Sequence, residues 1–124
     1  MSGKRILVID DDEAIRKSFA LALEDTGYQV DTAESGEKGI EMERKAGYQL
    51  IFLDLKMPGM NGVETLREIR KIDEVVPIYV ITAYHKDFFD QLLNAAEDGI
   101  NFEVLEKPIG GEQIVSVAKS VLET

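Results

Sequence analysis

The sequence predicts an α/β fold, a doubly wound parallel sheet of five strands flanked by five helices. Three observations predict it. Short apolar runs alternate with helical patterns along the 124 residues. The run "QLIFLDL", Gln49–Leu55, is apolar on both faces, as a strand covered by helices on both sides must be. Acidic, hydroxyl and amine side chains stand where four of the runs end, at the sheet edge where such folds bind ligands.

Arg5–Ile9 is the first run, rich in Val, Ile and Leu, and it leads into the acids of "ILVIDDDE". Asp12 is placed to cap the following helix by accepting from N–H groups of its first turn. Ile15, Phe19, Ala22 and Leu23 recur there at helical spacing, and Gly27 is expected to end it. Gln29–Ala33 is a shorter, more polar strand that belongs nearer an edge. Ser35 caps a helix running to about Ala46, with Gly47 as its stop. Gln49–Leu55 follows, and then "KMPGMNG", a loop shaped by Pro58, Gly59 and Gly62 in which Met57 and Met60 serve packing. Val63, Leu66, Ile69 and Ile72 mark the third helix, and Val76–Ala83 the fourth strand. Phe88, Phe89, Leu92, Leu93 and Ala96 mark the fourth helix. Phe102–Leu105 is a short fifth strand, and Ile114, Val117, Ala118, Val121 and Leu122 form the stripe of a last helix. A helix cannot easily bury adjacent residues on one stripe. Phe88 and Phe89 therefore pose a choice between a broad core face and an exposed apolar patch.

Composition narrows the function. The length suits one domain, residues 1–124, and 44% hydrophobic residues exclude a disordered tail. With 24 acids against 14 bases the formal charge is −10, which disfavours direct binding of nucleic acid. A cation or a basic patch on a partner suits it better. Cysteine is absent, so disulfides and thiolate chemistry are excluded. No apolar run reaches the ~20 residues of a membrane span. "MSGKR" leads into a strand and not into a signal-peptide stretch, and a cytoplasmic location is expected.

Asp10 and Asp11 end the first strand, Asp54 the third and Thr82 the fourth, while the fifth leads to Lys107. Three carboxylates at one edge repel, and desolvating them is costly. A divalent cation together with Lys107 would balance their charge. The candidate ligands are all oxygens, which selects a hard ion, Mg²⁺ or Mn²⁺. A phosphoryl group at this site would find metal and ammonium for its oxygens and a Thr hydroxyl as donor. Asp54, alone at the end of the central apolar strand, is the candidate nucleophile. Asp12 reads as a helix cap only, and the lone His85 receives no role.

On these residues the chain resembles a response-regulator receiver domain of two-component signal transduction over essentially its whole length. "ILVIDDDE" matches the family's acidic first turn, "LIFLDLKMPGMNG" its phosphoacceptor motif, and "VITAY" and "EKPI" its Thr and Lys-Pro motifs, in order. The resemblance implies a flavodoxin-like sheet of strand order 2-1-3-4-5, an order for which a chemotaxis receiver is a standard example. It implies that Asp54 accepts a phosphoryl group from a histidine kinase or histidine phosphotransfer protein. It implies that Asp11, Asp54 and the backbone carbonyl of Lys56 bind Mg²⁺, with Asp10 acting through metal-bound water. Thr82 and Lys107 would hold phosphoryl oxygens. Such a protein catalyses its own phosphorylation and dephosphorylation without turning over an external substrate. It relays its state to a downstream target or output domain, and a homodimer through the fourth and fifth helices is one arrangement the resemblance implies. Lys56 and Tyr84 occupy positions that influence hydrolysis of the aspartyl phosphate in similar receivers, and Lys107–Pro108 is expected to be cis.

Two departures stand out. The stretch from Tyr84 to Lys107 is a few residues longer than in similar receivers. Three residues before the motif Lys, where many receivers carry Tyr or Phe, this chain carries Val104. Rival readings share parts of the pattern. A flavin-binding domain of this topology cradles phosphate on a Gly/Ser/Thr-rich first loop, whereas "DDDE" would repel phosphate unless a metal intervened. A metal-dependent phosphatase with an Asp nucleophile shares the metal and nucleophile logic but places nucleophile and acid on one loop and adds a substrate cap. The last helical pattern stops just before Thr124, which suits either a stand-alone regulator or a domain of a longer one.

Overall fold

A computed structural model describes residues 3–83 and 85–123. Strands β1 (Arg5–Ile9), β2 (Gln29–Ala33), β3 (Leu50–Asp54), β4 (Ile78–Thr82) and β5 (Glu103–Glu106) alternate with helices α1 (Glu13–Leu23), α2 (Gly36–Ala46), α3 (Gly62–Ile72), α4 (Phe89–Glu97) and α5 (Gly111–Leu122). A 3₁₀ turn, His85–Phe88, precedes α4. All pairings are parallel and the order is β2-β1-β3-β4-β5, which places the polar β2 at an edge as its sequence predicts. Among the described residues no helix is long and apolar enough to cross a membrane.

Alternation along the strands divides the core in two. Leu7, Ile9, Ile51, Leu53, Ile78 and Val80 face α2, α3 and α4. Ile6, Val8, Leu50, Phe52 and Ile81 face α1 and α5. Phe52 is fully buried and stacks at a tilt between Phe19, 5.0 Å away, and Tyr79, 6.2 Å away. Both faces of β3 are therefore covered, and every residue of that strand is buried.

Side chains cap the first three helices. Asp12 accepts from Ala14 N at 2.9 Å, Ser35 from Lys38 N at 3.1 Å, and Asn61 and Glu64 form a reciprocal capping box. The loop after β3 is drawn tight by Gly62. Its N–H donates to the Leu55 carbonyl at 2.9 Å, and a β-carbon there would collide with the Asp54 carbonyl oxygen and Leu55 Cα. Met57 is buried in the core and Met60 packs against it.

Some element boundaries differ from expectation. α1 stops at Leu23, and Gly27 instead takes a positive φ in the turn into β2. Strand pairing ends before the apolar composition does, so β3 and β4 are shorter than their runs, and β5 begins one residue later than predicted. Ile72 is 37% exposed, beyond the core. On α5 the buried stripe is Ile114, Ala118 and Leu122, with Val117 and Val121 only partly covered.

At the sheet end opposite the acids, Glu43 of α2 is buried and accepts the Tyr48 N–H at 3.0 Å. Its carboxyl meets that of Asp73, the residue after α3. Burial, and then the Asp73 carboxylate, push Glu43 up to about 7, with Arg70 opposing. Burial also disfavours the Asp73 carboxylate, but the N–H groups of Val75 and Val76 and the proton of Glu43 hold it below its ordinary value. Glu43 is thus the proton donor of the pair. Its folded pKa lies above the unfolded value of 4.5, so its contribution is complete below that pH and is lost as pH rises through about 7. Asp73 acts in the opposite sense and only at lower pH. Gln at position 43 can make the same two hydrogen bonds without titrating. Urea unfolding in EDTA should therefore show Glu43→Gln gaining on the wild type as pH rises from 4.5 to about 7, with a constant difference above that.

Candidate functional site

The C-terminal ends of four strands meet in a cleft of about 140 Å³ lined by Asp10, Asp11, Asp54, Lys56, Thr82, Ala83, Phe88 and Lys107. The five residues that the sequence places at strand ends are all here, and parallel pairing brings them together. Asp10, Asp54 and Thr82 are each at most 3% exposed, while Asp11 and Lys56 stand at the open side. One carboxylate oxygen from each of Asp10, Asp11 and Asp54 lies within 4.8 Å of the others.

Local bonds hold the acids in place. Asp10 N donates to the Ala33 carbonyl at 3.0 Å, and Asp10 Oδ1 accepts from Asp12 N at 2.9 Å. Arg16 Nη1, one turn into α1, donates to the Asp10 carbonyl at 2.8 Å. Leu55 N and Lys107 N donate across the sheet to the Ile81 and Thr82 carbonyls, so β3, β4 and β5 stay in register up to the cleft. Lys107–Pro108 is cis, as expected. Tyr84 and the side chain of His85 lie outside the described residues.

Charge is unbalanced. Lys107 Nζ lies 3.0 Å from Asp54 Oδ1, an ion-pair distance, but its approach angle gives that buried oxygen no hydrogen bond. Burial, with Asp10 and Asp11 adding repulsion, raises Asp54 to about 6 against the pull of Lys107. Burial also raises Asp10, despite the Asp12 N–H and Lys107. Burial disfavours the charged Lys107, but the adjacent Asp54 carboxylate, with Asp10 and Asp11 behind it, carries its pKa above the ordinary value. The cleft is short of positive charge, and an under-bonded carboxylate oxygen faces two more carboxylates. An oxygen-only, anionic donor set of this kind fits a hard divalent cation.

Comparison with known proteins follows the same line. Residues 6–119 match the family model for the response regulator receiver domain. The chain belongs to that family. It is 37% identical over 117 residues to the transcriptional regulatory protein AfsQ1 of Streptomyces coelicolor, covering 94% of this chain and 50% of that protein. It is 35% identical over 118 residues to ResD of Bacillus subtilis, covering 95% and 48%. The receiver spans about half the length of such relatives. Among solved structures, a CheY-like receiver domain protein from Methanospirillum hungatei superposes with a TM-score of 0.86 at 28% identity, covering 97% of this chain and 94% of that one. The chemotaxis protein CheY4 of Vibrio cholerae gives 0.82 at 27% identity, covering 96% and 98%.

Sequence reasoning missed Arg16 and Phe88 as parts of this receiver's site. An Arg one helical turn beyond an acidic strand end was a usable signal for Arg16. Nothing local pointed Phe88 toward the cleft, because its direction is set by the 3₁₀ turn.

A carboxylate whose folded pKa is raised destabilises the ionised protein at neutral pH. In EDTA at pH 7.5, Asp54→Asn should unfold at higher urea than the wild type, by on the order of 1–2 kcal/mol. Added Mg²⁺ should stabilise the wild type more than the variant.

Proposed function

We propose that residues 1–124 form one receiver unit that accepts a phosphoryl group on Asp54 and signals by the resulting change of state. The carrying observation is the convergence of a buried carboxylate, two acidic neighbours, a hydroxyl and an amine on a cleft of about 140 Å³. Asp11, Asp54 and the Lys56 carbonyl would hold Mg²⁺ or Mn²⁺, with Asp10 acting through a bound water. Such an ion, when bound, neutralises carboxylates and phosphoryl oxygens alike.

Asp54 supplies the nucleophile. One of its oxygens attacks phosphorus in line, and the bond from phosphorus to the donor's leaving atom breaks, its electron pair departing with that atom. For a histidine kinase or phosphotransfer protein that atom is an imidazole nitrogen. Lys107, already paired with Asp54, moves its charge to a phosphoryl oxygen as the carboxylate charge is consumed. Thr82, buried at the adjoining strand end, donates to another oxygen. The acyl phosphate then hydrolyses in the same cleft, so the protein acts on itself rather than turning over an external ester. The net charge of −10 and the family relationship support a cytoplasmic regulator that meets a kinase and a protein target or output domain, without itself contacting nucleic acid. The same relationship supports dimerisation through α4 and α5 as a mode of output.

Incubation with Mg²⁺ and acetyl phosphate should add one phosphoryl group by intact mass. Asp54→Asn should take none, and Lys107→Ala should label about 100-fold more slowly. Labelling of Asp54→Asn at the wild-type rate would sink the reading, as would labelling of the wild type undiminished by EDTA.

A further inference from the structure

The last ladder pairs of β1 join Ile9 to Ala33 and to Leu53, and beyond them the chain turns at Asp10 into α1. Asp10 is 2% exposed, so its polar atoms need partners inside the protein. The Ala33 carbonyl of β2 accepts the Asp10 N–H, and Asp10 Oδ1 accepts from Asp12 N. The Asp10 carbonyl lies past the ladder, and it accepts from Arg16 Nη1 at 2.8 Å. Arg16 is itself fixed in the helix, its N–H donating to the Asp12 carbonyl at 3.1 Å. Its half-buried side chain therefore reaches back over the cap and ties the strand end to α1.

The carbonyl that Arg16 holds belongs to the peptide linking Asp10 to Asp11. That unit is planar, so the direction of its carbonyl fixes ψ of Asp10 and φ of Asp11 together. Those angles set where the Asp11 side chain leaves the backbone. Asp10 and Asp54 are buried and packed in place, whereas Asp11 is exposed at the open side of the cleft and its place is set by the turn. The charge of Arg16 acts elsewhere. Burial raises Asp10 and Asp54, and Lys107 is the cation that opposes the rise. Glu13, exposed on α1, is held below its ordinary value by Lys17, to which Arg16 adds. What Arg16 brings to the cleft is a directed N–H and not neutralisation. The two have opposite consequences. Removing a neutralising cation from beside three carboxylates tightens the binding of a divalent cation, whereas releasing the backbone of a ligand weakens it.

Resting on the receiver reading above, and on the Mg²⁺ or Mn²⁺ which that reading assigns to Asp11, Asp54 and the Lys56 carbonyl, we propose that Arg16 is a positioning residue for the metal. Its bond to the Asp10 carbonyl keeps Asp11 turned into the cleft. Arg16 thereby sets how tightly the cation is held, through the backbone and without touching it. Groups that orient a ligand in this way change metal affinity by about 10–100-fold when they are removed.

The test titrates the whole isotope-labelled chain with Mg²⁺ and follows amide NMR shifts, which report affinity without any phosphoryl transfer. Arg16→Met removes the donor but keeps an unbranched, helix-favouring stem. Its dissociation constant for Mg²⁺ should rise about 10-fold, and Arg16→Lys, which keeps a donor, should recover part of the loss. Lys17→Met removes the exposed cation next in sequence, which pairs with Glu13, and should stay within about twofold of the wild type. The Mg²⁺ concentration for half-maximal labelling by acetyl phosphate should move by the same factor in Arg16→Met, with the plateau rate falling far less. A folded Arg16→Met that binds Mg²⁺ as tightly as the wild type, or more tightly, would overturn the role while leaving the metal reading intact. An equal loss in Lys17→Met would overturn it too. Should Arg16→Met lose its amide dispersion, Arg16→Gln decides by the same criterion. A wild-type chain with no saturable Mg²⁺ shifts overturns the parent reading of the metal, and this one with it.

Discussion

Three carboxylates crowded at the C-terminal edge of a buried sheet, paired with the Lys107 ammonium group, are the constraint on which the rest of the molecule depends. In water such a cluster would disperse. Here Asp10 and Asp54 are attached to strands whose every neighbour is packed, so the chain cannot relieve the repulsion by moving apart. The repulsion is met by proton uptake, by the Lys107 ion pair, or by a cation and phosphoryl oxygens. The apolar core and the acidic cleft are thus two sides of one arrangement, since the first holds the second in an unfavourable state that ligands can relieve.

The same logic explains how the surroundings are divided between rigid and movable parts. β1 and β3 are central and doubly covered, and α1, α2 and α3 begin with side-chain caps. Gly62 lets the loop after Asp54 lie against the strand end, where any β-carbon would force it off. By contrast α4 starts after a 3₁₀ turn and shows part of its apolar surface to solvent. A switch needs both kinds of element: a scaffold that keeps the reacting groups in place and a segment with two arrangements of similar free energy. The Glu43–Asp73 pair belongs to the scaffold, tying α2 to the end of α3 far from the chemistry.

Much of this was legible from residues alone. The order of elements followed from apolar runs, caps and glycine stops, all of which are local. The acids, Thr82 and Lys107 could be assigned to one edge because each ends a strand, and parallel strands end together. Asp12 was recognisable as a cap for the same local reason. Harder features were those set by contacts distant in sequence. Nothing local distinguishes Glu43 from a surface acid on a polar helix or Asp73 from a loop acid; only the packing of α2 against α3 brings their carboxyls together.

By itself, then, the sequence determined which segments are strands and helices and which chemical groups reach the C-terminal edge. Short-range hydrogen bonding and hydrophobic period are properties of neighbouring residues, so no tertiary information was required. Tertiary structure alone decided which way each ring of the Phe88–Phe89 pair turns, where α1 stops, and which carboxyl keeps a proton. Those outcomes depend on burial and on the charges that packing brings near, and both are sums over residues far apart in the chain.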